Sequence, residues 1–376
     1  MTRTSMAATP TPTRRIPLWL VLLALGALLG AHLLLEHLAA PTLPAPGGPS
    51  LLDGGAQVFF TTPSLVSPDV PGRRPQSPLL AAVLRDLRAA QHSIDLAVFD
   101  MDLEELGDAL AQAERRGVAV RVVMDSHNLE SPEASALAGR LQWAGVPVRF
   151  DRRSPFMHHK FIVLDGAVVW AGSWNFTAND TYRNNNNMVR LTSRALAQRY
   201  TAVFEDLFAG RFGAGGMRAP PRDVAGARVR AFFSPAGGAE GEVLRLLAAA
   251  RRSVRFLAYS FTSTPIAEAM VAQARAGLVV QGVVERQNAA GSGSVFGTLR
   301  GGGVDVHTDG GCYLLHHKVI IIDDRVVITG SYNFTGSAER TNDENMLVIE
   351  DAGLARAYRE EFERLYAQAQ SPLRCG

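Results

Sequence analysis

Two tandem α/β units behind one apolar N-terminal segment are what this sequence predicts, and three observations carry the prediction. The chain writes one long unit twice. Each unit alternates apolar, strand-like runs with helix-period runs, the pattern of a largely buried mixed sheet covered by helices. A continuous apolar run precedes both copies.

That run is Ile16 to Leu35, "IPLWLVLLALGALLGAHLLL", with Arg3, Arg14 and Arg15 before it and the Pro/Gly-rich "APTLPAPGGPS" after it. Its length suits a membrane anchor, which needs about 20 apolar residues, better than a signal peptide, whose apolar core is about 7 to 15. A cleaved signal is the alternative, because small residues follow at Ala39 and Ala40. The basic flank, residues 1–15, puts the amino end in the cytoplasm and the body outside it, anchored on the periplasmic or cell-surface side, or secreted if the segment is cleaved. Residues 36–55 read as a linker. The rest is long enough for two domains with cores of their own. A formal net charge of +2 excludes a basic tail that coats nucleic acid, although a local basic groove stays compatible with it.

The duplication is read by offset. His316 lies 158 positions after His158 (316 minus 158), and the same step carries Gly145 to Gly303, Asp165 to Asp323, Asn175 to Asn333, Met188 to Met346 and Phe204 to Phe362 without a gap. Upstream the step is 160, with Gly117 falling on Gly277. So long a period marks duplication of a whole domain and not a solenoid. The copies span 56–209 and 229–372, joined by a linker over 210–228 that contains "GRFGAGGMRAPPRDVAG".

Within the first copy, a helix-period run over Leu79 to Ala90 leads to a strand at Ile94 to Phe99. A second helix, Glu104 to Arg116, stops at Gly117 before the strand "VAVRVVM". Short apolar runs at Val146 to Phe150, Phe161 to Leu164 and Ala167 to Ala171 predict three more strands, and a helix over Arg194 to Phe208 closes the copy. Cys312 and Cys375 are the only cysteines; in an oxidising compartment they can pair and tie the C-terminal tail beside the second repeat, and two free thiols are the equal alternative.

The chemistry concentrates in "MHHKFIVLDGAVVWAGSWNFT", from Met157, and "LHHKVIIIDDRVVITGSYNFT", from Leu315. Lys plus Arg number 38, yet Lys160 and Lys318 are the only lysines. An ammonium on a flexible stem is a point charge suited to a single phosphate oxygen, where arginine is a planar fork. Strand alternation puts His158 and Lys160 on one face and His159 on the other. After a turn at Asp165 and Gly166, Ser173 and Asn175 again share a face, and Gly172 leaves room for another group to approach. Each copy thus offers an imidazole, an ammonium, a hydroxyl and an amide, an inventory fit to grip a phosphate. His159 and His317 read as packing or hydrogen-bonding groups on the opposite face, and Asp165 and Asp323 as holders of a turn or a nearby cation. A metal site from the paired histidines is the weaker reading, because neighbours on a strand diverge and no carboxylate or cysteine cluster joins them.

The pattern H-x-K-x4-D-x6-G-S-x-N is complete at His158, Lys160, Asp165, Gly172, Ser173 and Asn175, and again at His316, Lys318, Asp323, Gly330, Ser331 and Asn333; it resembles the signature of the phospholipase D superfamily. The resemblance covers the chain from about residue 56 onward. It implies two α/β sandwich domains related by a pseudo-twofold, with both motifs meeting in one site. It further implies a phosphodiesterase without metal or cofactor, in which one histidine attacks phosphorus and the other acts as acid and base. The lysines, with Ser173, Asn175, Ser331 and Asn333, would bind and stabilise the phosphoryl oxygens. Glu344 stands where the first copy has Asn186. Carried over from similar enzymes, Glu344 would orient His158 as the nucleophile, and Asn186 would orient His316 without adding charge. Both half-sites in one chain imply a monomer.

The superfamily signature leaves the substrate open. The anchor, reaching the membrane through residues 16–35, the modest charge and the lack of a basic run favour phospholipid, by hydrolysis or transesterification. A metal-independent endonuclease is the alternative, since the motifs look close to compact secreted endonucleases and Arg152, Arg153, Arg183 and Arg340 can track a phosphate backbone. A phosphatidyltransferase like cardiolipin synthase is a third reading, and an inactive surface-anchored binding module a fourth, against which the intact histidines and lysines of both copies speak.

Overall fold

Each copy of the repeat folds into its own seven-stranded mixed sheet. The computed structural model describes residues 55–61, 70, 74, 76–214 and 228–375. The segments predicted at 1–15, 16–35 and most of 36–55, and the greater part of the linker 210–228, lie outside the described residues. No described helix is long and apolar enough to cross a membrane.

The first sheet comprises β1 (Ala56–Thr61), β2 (Ser93–Val98), β3 (Ala119–Met124), β4 (Val148–Phe150), β5 (Lys160–Leu164), β6 (Val168–Gly172) and β7 (Asn186–Thr192), ordered β1-β7-β6-β5-β2-β3-β4. β2, β3 and β4 run parallel, while β5, β6, β7 and β1 add antiparallel strands. Its helices are α1 (Pro78–Ala89), α2 (Glu104–Arg115), α3 (Pro132–Trp143), α4 (Ala178–Tyr182) and α5 (Arg194–Phe208). The second copy repeats the plan with β8 (Val229–Ser234), β9 (Ser253–Ala258), β10 (Val279–Val284), β11 (Asp305–Thr308), β12 (Lys318–Ile322), β13 (Val326–Gly330) and β14 (Glu344–Glu350), ordered β11-β10-β9-β12-β13-β14-β8. Its helices are α6 (Ala239–Ala249), α7 (Thr264–Arg275), α8 (Arg286–Ala289), α9 (Phe296–Gly301), α10 (Gly336–Arg340) and α11 (Ala352–Gln370).

The elements read from sequence are present within one or two residues of their expected ends, and their caps say why. Pro78 occupies the first turn of α1, where a missing N–H costs nothing, and the Ser77 hydroxyl accepts the Leu80 N–H. In the first copy, sequence reasoning missed β1, α3, α4 and β7. The α3 start carried a signal, Ser131 before Pro132, whose hydroxyl caps Ala134. β7 was hidden because it opens on Asn186 and Asn187, amides that read as loop and are buried here by side-chain hydrogen bonds.

Strand alternation distributes the core. On β5, Phe161 and Val163 face a core shared by both copies, while Ile162 and Leu164 face the first copy's own helices. On β12, Val319 and Ile321 enter the shared core and Ile320 and Ile322 the second copy's own. The shared core also holds Tyr200 and Phe204 of α5 and Tyr358 and Phe362 of α11. The order of layers is therefore outer helices, sheet, α5 with α11, sheet, outer helices. The halves also exchange backbone hydrogen bonds reciprocally: His158 N–H donates to Asp343 O and His316 N–H to Asn185 O, each at 2.9 Å. This exchange fixes both histidine backbones against the opposite half.

Candidate active site

His158 and His316 line one cavity of about 570 Å3, walled by both halves. Each imidazole meets an aromatic edge, His158 at 4.9 Å from Phe99 and His316 at 4.6 Å from Tyr259, measured between ring centroids. The alternation read from sequence holds. His159 turns away to pack on Phe161 at 5.3 Å, and His317 bonds Asn187 and Glu361 on the shared-core side. Among the described residues no group of three or more His, Cys, Asp or Glu is placed to hold a metal ion.

Beneath the imidazoles lie the two lysines, fully buried. Lys160 Nζ donates to His158 O at 3.0 Å and Lys318 Nζ to His316 O at 2.7 Å. Each ammonium also rests over a ring, Phe99 at 5.0 Å and Tyr259 at 4.6 Å. Burial drives both ammoniums toward neutrality: Lys160 falls to about 8, Glu344 and Asp180 opposing, and Lys318 is held well below its ordinary value by burial and by repulsion from Lys160.

Glu344, fully buried at the start of β14, reaches across to His158, its Oε2 lying 2.8 Å from Nδ1. Ser331 Oγ donates to the same oxygen at 2.7 Å. Burial pushes the Glu344 carboxyl up to about 8, against the pull of Lys160, while burial and both lysines press His158 well down. Glutamate and histidine titrate as one unit. With Ser331 already donating to Oε2, the shared proton belongs on Nδ1, which leaves the Nε2 lone pair for the cavity.

Around His316 the arrangement is repeated with one change. Asn186 Oδ1 lies 2.8 Å from His316 Nδ1 and accepts Ser173 Oγ at 2.9 Å. Asn186 itself adds no charge, but Asp180, which sequence reasoning did not name, supplies one, its Oδ2 standing 3.4 Å from Nδ1. Burial alone would raise Asp180, but His316, the Asn184 amide and the Asn175 N–H outweigh it and hold the carboxyl well below the usual range. His316 itself is lowered to about 3 by burial and Lys318, with Asp180 opposing. Asp180 was missed by sequence reasoning, although its counterpart at the 158 offset is Ala338 and the difference of charge between copies was there to be read. Each histidine thus has one buried carboxylate, delivered by a different element.

The remaining candidates divide into those at the cavity and those behind it. Asn175 and Asn333 line the cavity. Ser173 and Ser331 do not face a phosphate: both are fully buried and spend their hydroxyl protons on Asn186 and Glu344, so they position the groups that position the histidines. Gly172 and Gly330 allow this layer to exist. A Cβ at Gly172 would stand 2.1 Å from Asn187 O, and one at Gly330 would stand 2.3 Å from Asn345 O. Asp165 and Asp323 hold backbone: Asp165 accepts the N–H groups of Gln91, His92 and Ser93, and Asp323 those of Arg251, Arg252 and Ser253. None of the arginines expected to track a phosphate backbone, Arg152, Arg153, Arg183 and Arg340, lines this cavity, although Arg183 bonds Asn179, which does. Arg153 pairs with Asp343, and Arg152 lines a separate cavity. Cys312 and Cys375 form a disulfide, so the tail is tied to the loop that leads into His316.

Fold and site together define a two-unit protein of the phospholipase D superfamily. The family described as "Cardiolipin synthase, PLD-like domain" matches residues 83–208 and 243–366, and the chain belongs to it. Mitochondrial cardiolipin hydrolase of Xenopus tropicalis is similar at 37% identity over 126 residues, 34% of this chain and 60% of that protein. Phospholipase D of Rickettsia bellii is similar at 38% identity over 132 residues, 35% of this chain and 65% of that protein. The chain therefore spans under two thirds of the length of these relatives. Among solved structures, phosphatidylserine synthase of Haemophilus influenzae shares the fold, with a TM-score of 0.63 over 83% of this chain and 86% of that one at 14% identity.

Proposed function

We propose that this chain is a phospholipase D-type phosphodiesterase acting on phospholipid, with both halves, 56–209 and 229–372, contributing to one catalytic site. The observation that carries the reading is the pair of cross-half relays, Glu344 to His158 and Asn186 with Asp180 to His316, converging on one cavity. His158 Nε2 attacks phosphorus, forming a P–N bond as the P–O bond to the departing alcohol breaks. His316 Nε2–H gives its proton to that oxygen. Water then attacks phosphorus, His316 takes back a proton, and the P–N bond breaks to free His158. The Asp180 carboxylate favours the imidazolium that His316 must form, and Glu344 fixes the tautomer that exposes the nucleophile. A phosphate between the histidines brings the counter-charge that keeps Lys160 and Lys318 protonated, and in turn they stabilise its developing charge.

For the substrate, the described walls of the cavity carry amides, hydroxyls and aromatic rings and no arginine or lysine, which suits a single diester better than a polyanionic strand. The similarity to proteins named phospholipase D and cardiolipin hydrolase supports the same choice. We place the body outside the cytoplasm, tethered or exported by residues 16–35; the Cys312–Cys375 disulfide suits an oxidising compartment. The test uses the full chain in EDTA, comparing headgroup release from phospholipid vesicles with cleavage of DNA and RNA, and His158→Ala as control. Headgroup release that the variant loses supports the proposal. Nucleic-acid cleavage without headgroup release replaces it with the endonuclease reading.

A further inference from the structure

The two walls of the catalytic cavity differ in charge, and the difference lies outside the relays already described. Asp100 lines the cavity on the first-half wall; at the 160 offset its counterpart is Ser260, which lines the opposite wall. The loop that carries Asp100 is pinned to the motif, since Phe176 N–H donates to Asp100 O at 3.0 Å and Phe99 N–H to His159 O at 2.9 Å. The neighbouring acids are already engaged. Asp102 accepts the Ala178 N–H at 2.7 Å, and Asp180 is held by Asn184, Asn175 and His316. No ion pair within 4.0 Å to Asp100 is found among the described residues. A carboxylate in the wall of an anion-binding cavity repels the phosphate unless the bound molecule also brings a cation.

Unpartnered amide oxygens do not separate the walls, since Asn175 Oδ1 and its counterpart Asn333 Oδ1 are both buried without a hydrogen-bond partner. The rings do: Phe156 lines the wall of Asp100, and its counterpart at the 158 offset, Leu314, lines the other. Phe156 meets Phe99 edge to face at 5.2 Å. A group that carries positive charge on a short apolar stem satisfies both the carboxylate and the rings.

We infer that the alcohol seated against the first-half wall is an amino alcohol whose ammonium is received by Asp100 beside the rings of Phe99 and Phe156, so that diesters of the phosphatidylethanolamine kind are preferred over those with an uncharged headgroup. The inference rests on the phospholipase reading and deepens it. Burial, with Asp102 on the same loop and Asp180 on α4, pushes the Asp100 carboxyl up to about 6, and the Met101 N–H and then Lys160 on β5 pull it down. The preference is accordingly largest above that pH and fades below it, as the carboxylate gains a proton.

The test measures kcat/KM of the full chain on vesicles that differ only in headgroup, phosphatidylethanolamine, phosphatidylcholine or phosphatidylglycerol, with bis(p-nitrophenyl) phosphate as a diester without a headgroup. Ratios between lipids cancel the titrations of the histidines and Glu344, which all substrates share. Wild type is expected to prefer phosphatidylethanolamine to phosphatidylglycerol by about tenfold or more, the worth of a hydrogen bond to a charged group, with phosphatidylcholine between them. Asp100→Ser, the residue of the other copy, and Asp100→Asn bring the ratio toward one, their fold checked by melting temperature. Equal turnover of the three lipids by wild type, or a ratio unchanged in both variants, overturns the inference and leaves the phospholipase reading standing. Turnover of bis(p-nitrophenyl) phosphate with none of any lipid overturns both.

Discussion

Replacing Glu344 by glutamine tests the relay to His158 with little change of shape. In the native site, Glu344 Oε2 accepts from His158 Nδ1 at 2.8 Å and from Ser331 Oγ at 2.7 Å, and Oε1 is buried without a partner. Glutamine keeps an oxygen for both donors and turns its amide toward the unpartnered side. What it removes is the charge. A hydrogen bond to an ionised group is worth about 1.5–3 kcal/mol and a neutral one about 0.5–1.5, a difference of about 1.5 kcal/mol. If that difference is expressed as the imidazole becomes positive in attack, kcat falls about tenfold. Glu344→Ala, which leaves Nδ1–H without any acceptor, falls further, about a hundredfold. The assay is kcat and KM on bis(p-nitrophenyl) phosphate beside thermal melting. Glu344→Gln should melt no lower than wild type, because a buried carboxyl carries its own desolvation cost. A variant with wild-type kcat would refute the relay, and one that loses kcat only by unfolding would show that the residue supports the fold alone.

Further outcomes follow from the same geometry. Asp180→Asn removes the charge that opposes burial at His316, so the proton needed on that imidazole is lost at lower pH, and the alkaline limb of kcat/KM moves down; a pH–rate profile superimposable on wild type contradicts this role. Gly172→Ala forces a methyl to 2.1 Å from Asn187 O and should cost about 2–3 kcal/mol in denaturant unfolding, whereas melting like wild type would show that β7 yields. Asp165→Ala leaves three backbone N–H groups without their acceptor and should cost about 1–2 kcal/mol of stability with kcat retained; a fall in kcat without loss of stability would assign Asp165 to catalysis. Removing the Cys312–Cys375 bridge by Cys375→Ser releases a link across 63 residues and should lower stability by up to about 4 kcal/mol, read as a drop in melting temperature in the absence of reductant.

Much of the fold was legible because duplication wrote it twice. The alternation around His158 and Lys160, the glycine before Ser173 and the helices closing each copy depend on local geometry, and local geometry follows from residue order. β7 and β14 were harder, since their first residues are amides and acids that pair with side chains from elsewhere. The serines show the limit most clearly. Ser173 and Asn175 were expected to share a strand face, yet β6 ends at Gly172, and beyond it one is sealed behind Asn186 while the other lines the cavity, with β7 approaching closely at Gly172. Asp180 was invisible to the motif because it lies on α4 and acts on a histidine 136 residues later (316 minus 180), through a contact that exists only once the halves have met. Charge differences between otherwise equivalent copies, Asp180 with Ala338 and Asp100 with Ser260, were the readable trace of both features.

The central claim is that His158 and His316 serve one phosphodiester in different roles, and trapping the covalent intermediate tests it most directly. Bis(p-nitrophenyl) phosphate would be mixed with wild type, His158→Ala and His316→Ala, each reaction quenched in base and the adduct mapped by mass spectrometry. Because p-nitrophenolate leaves without an acid, His316→Ala should still form the phosphoryl adduct, on His158, and accumulate it for want of the base that activates water. His158→Ala should form none. An adduct on His316, or full turnover by His158→Ala, would contradict the account.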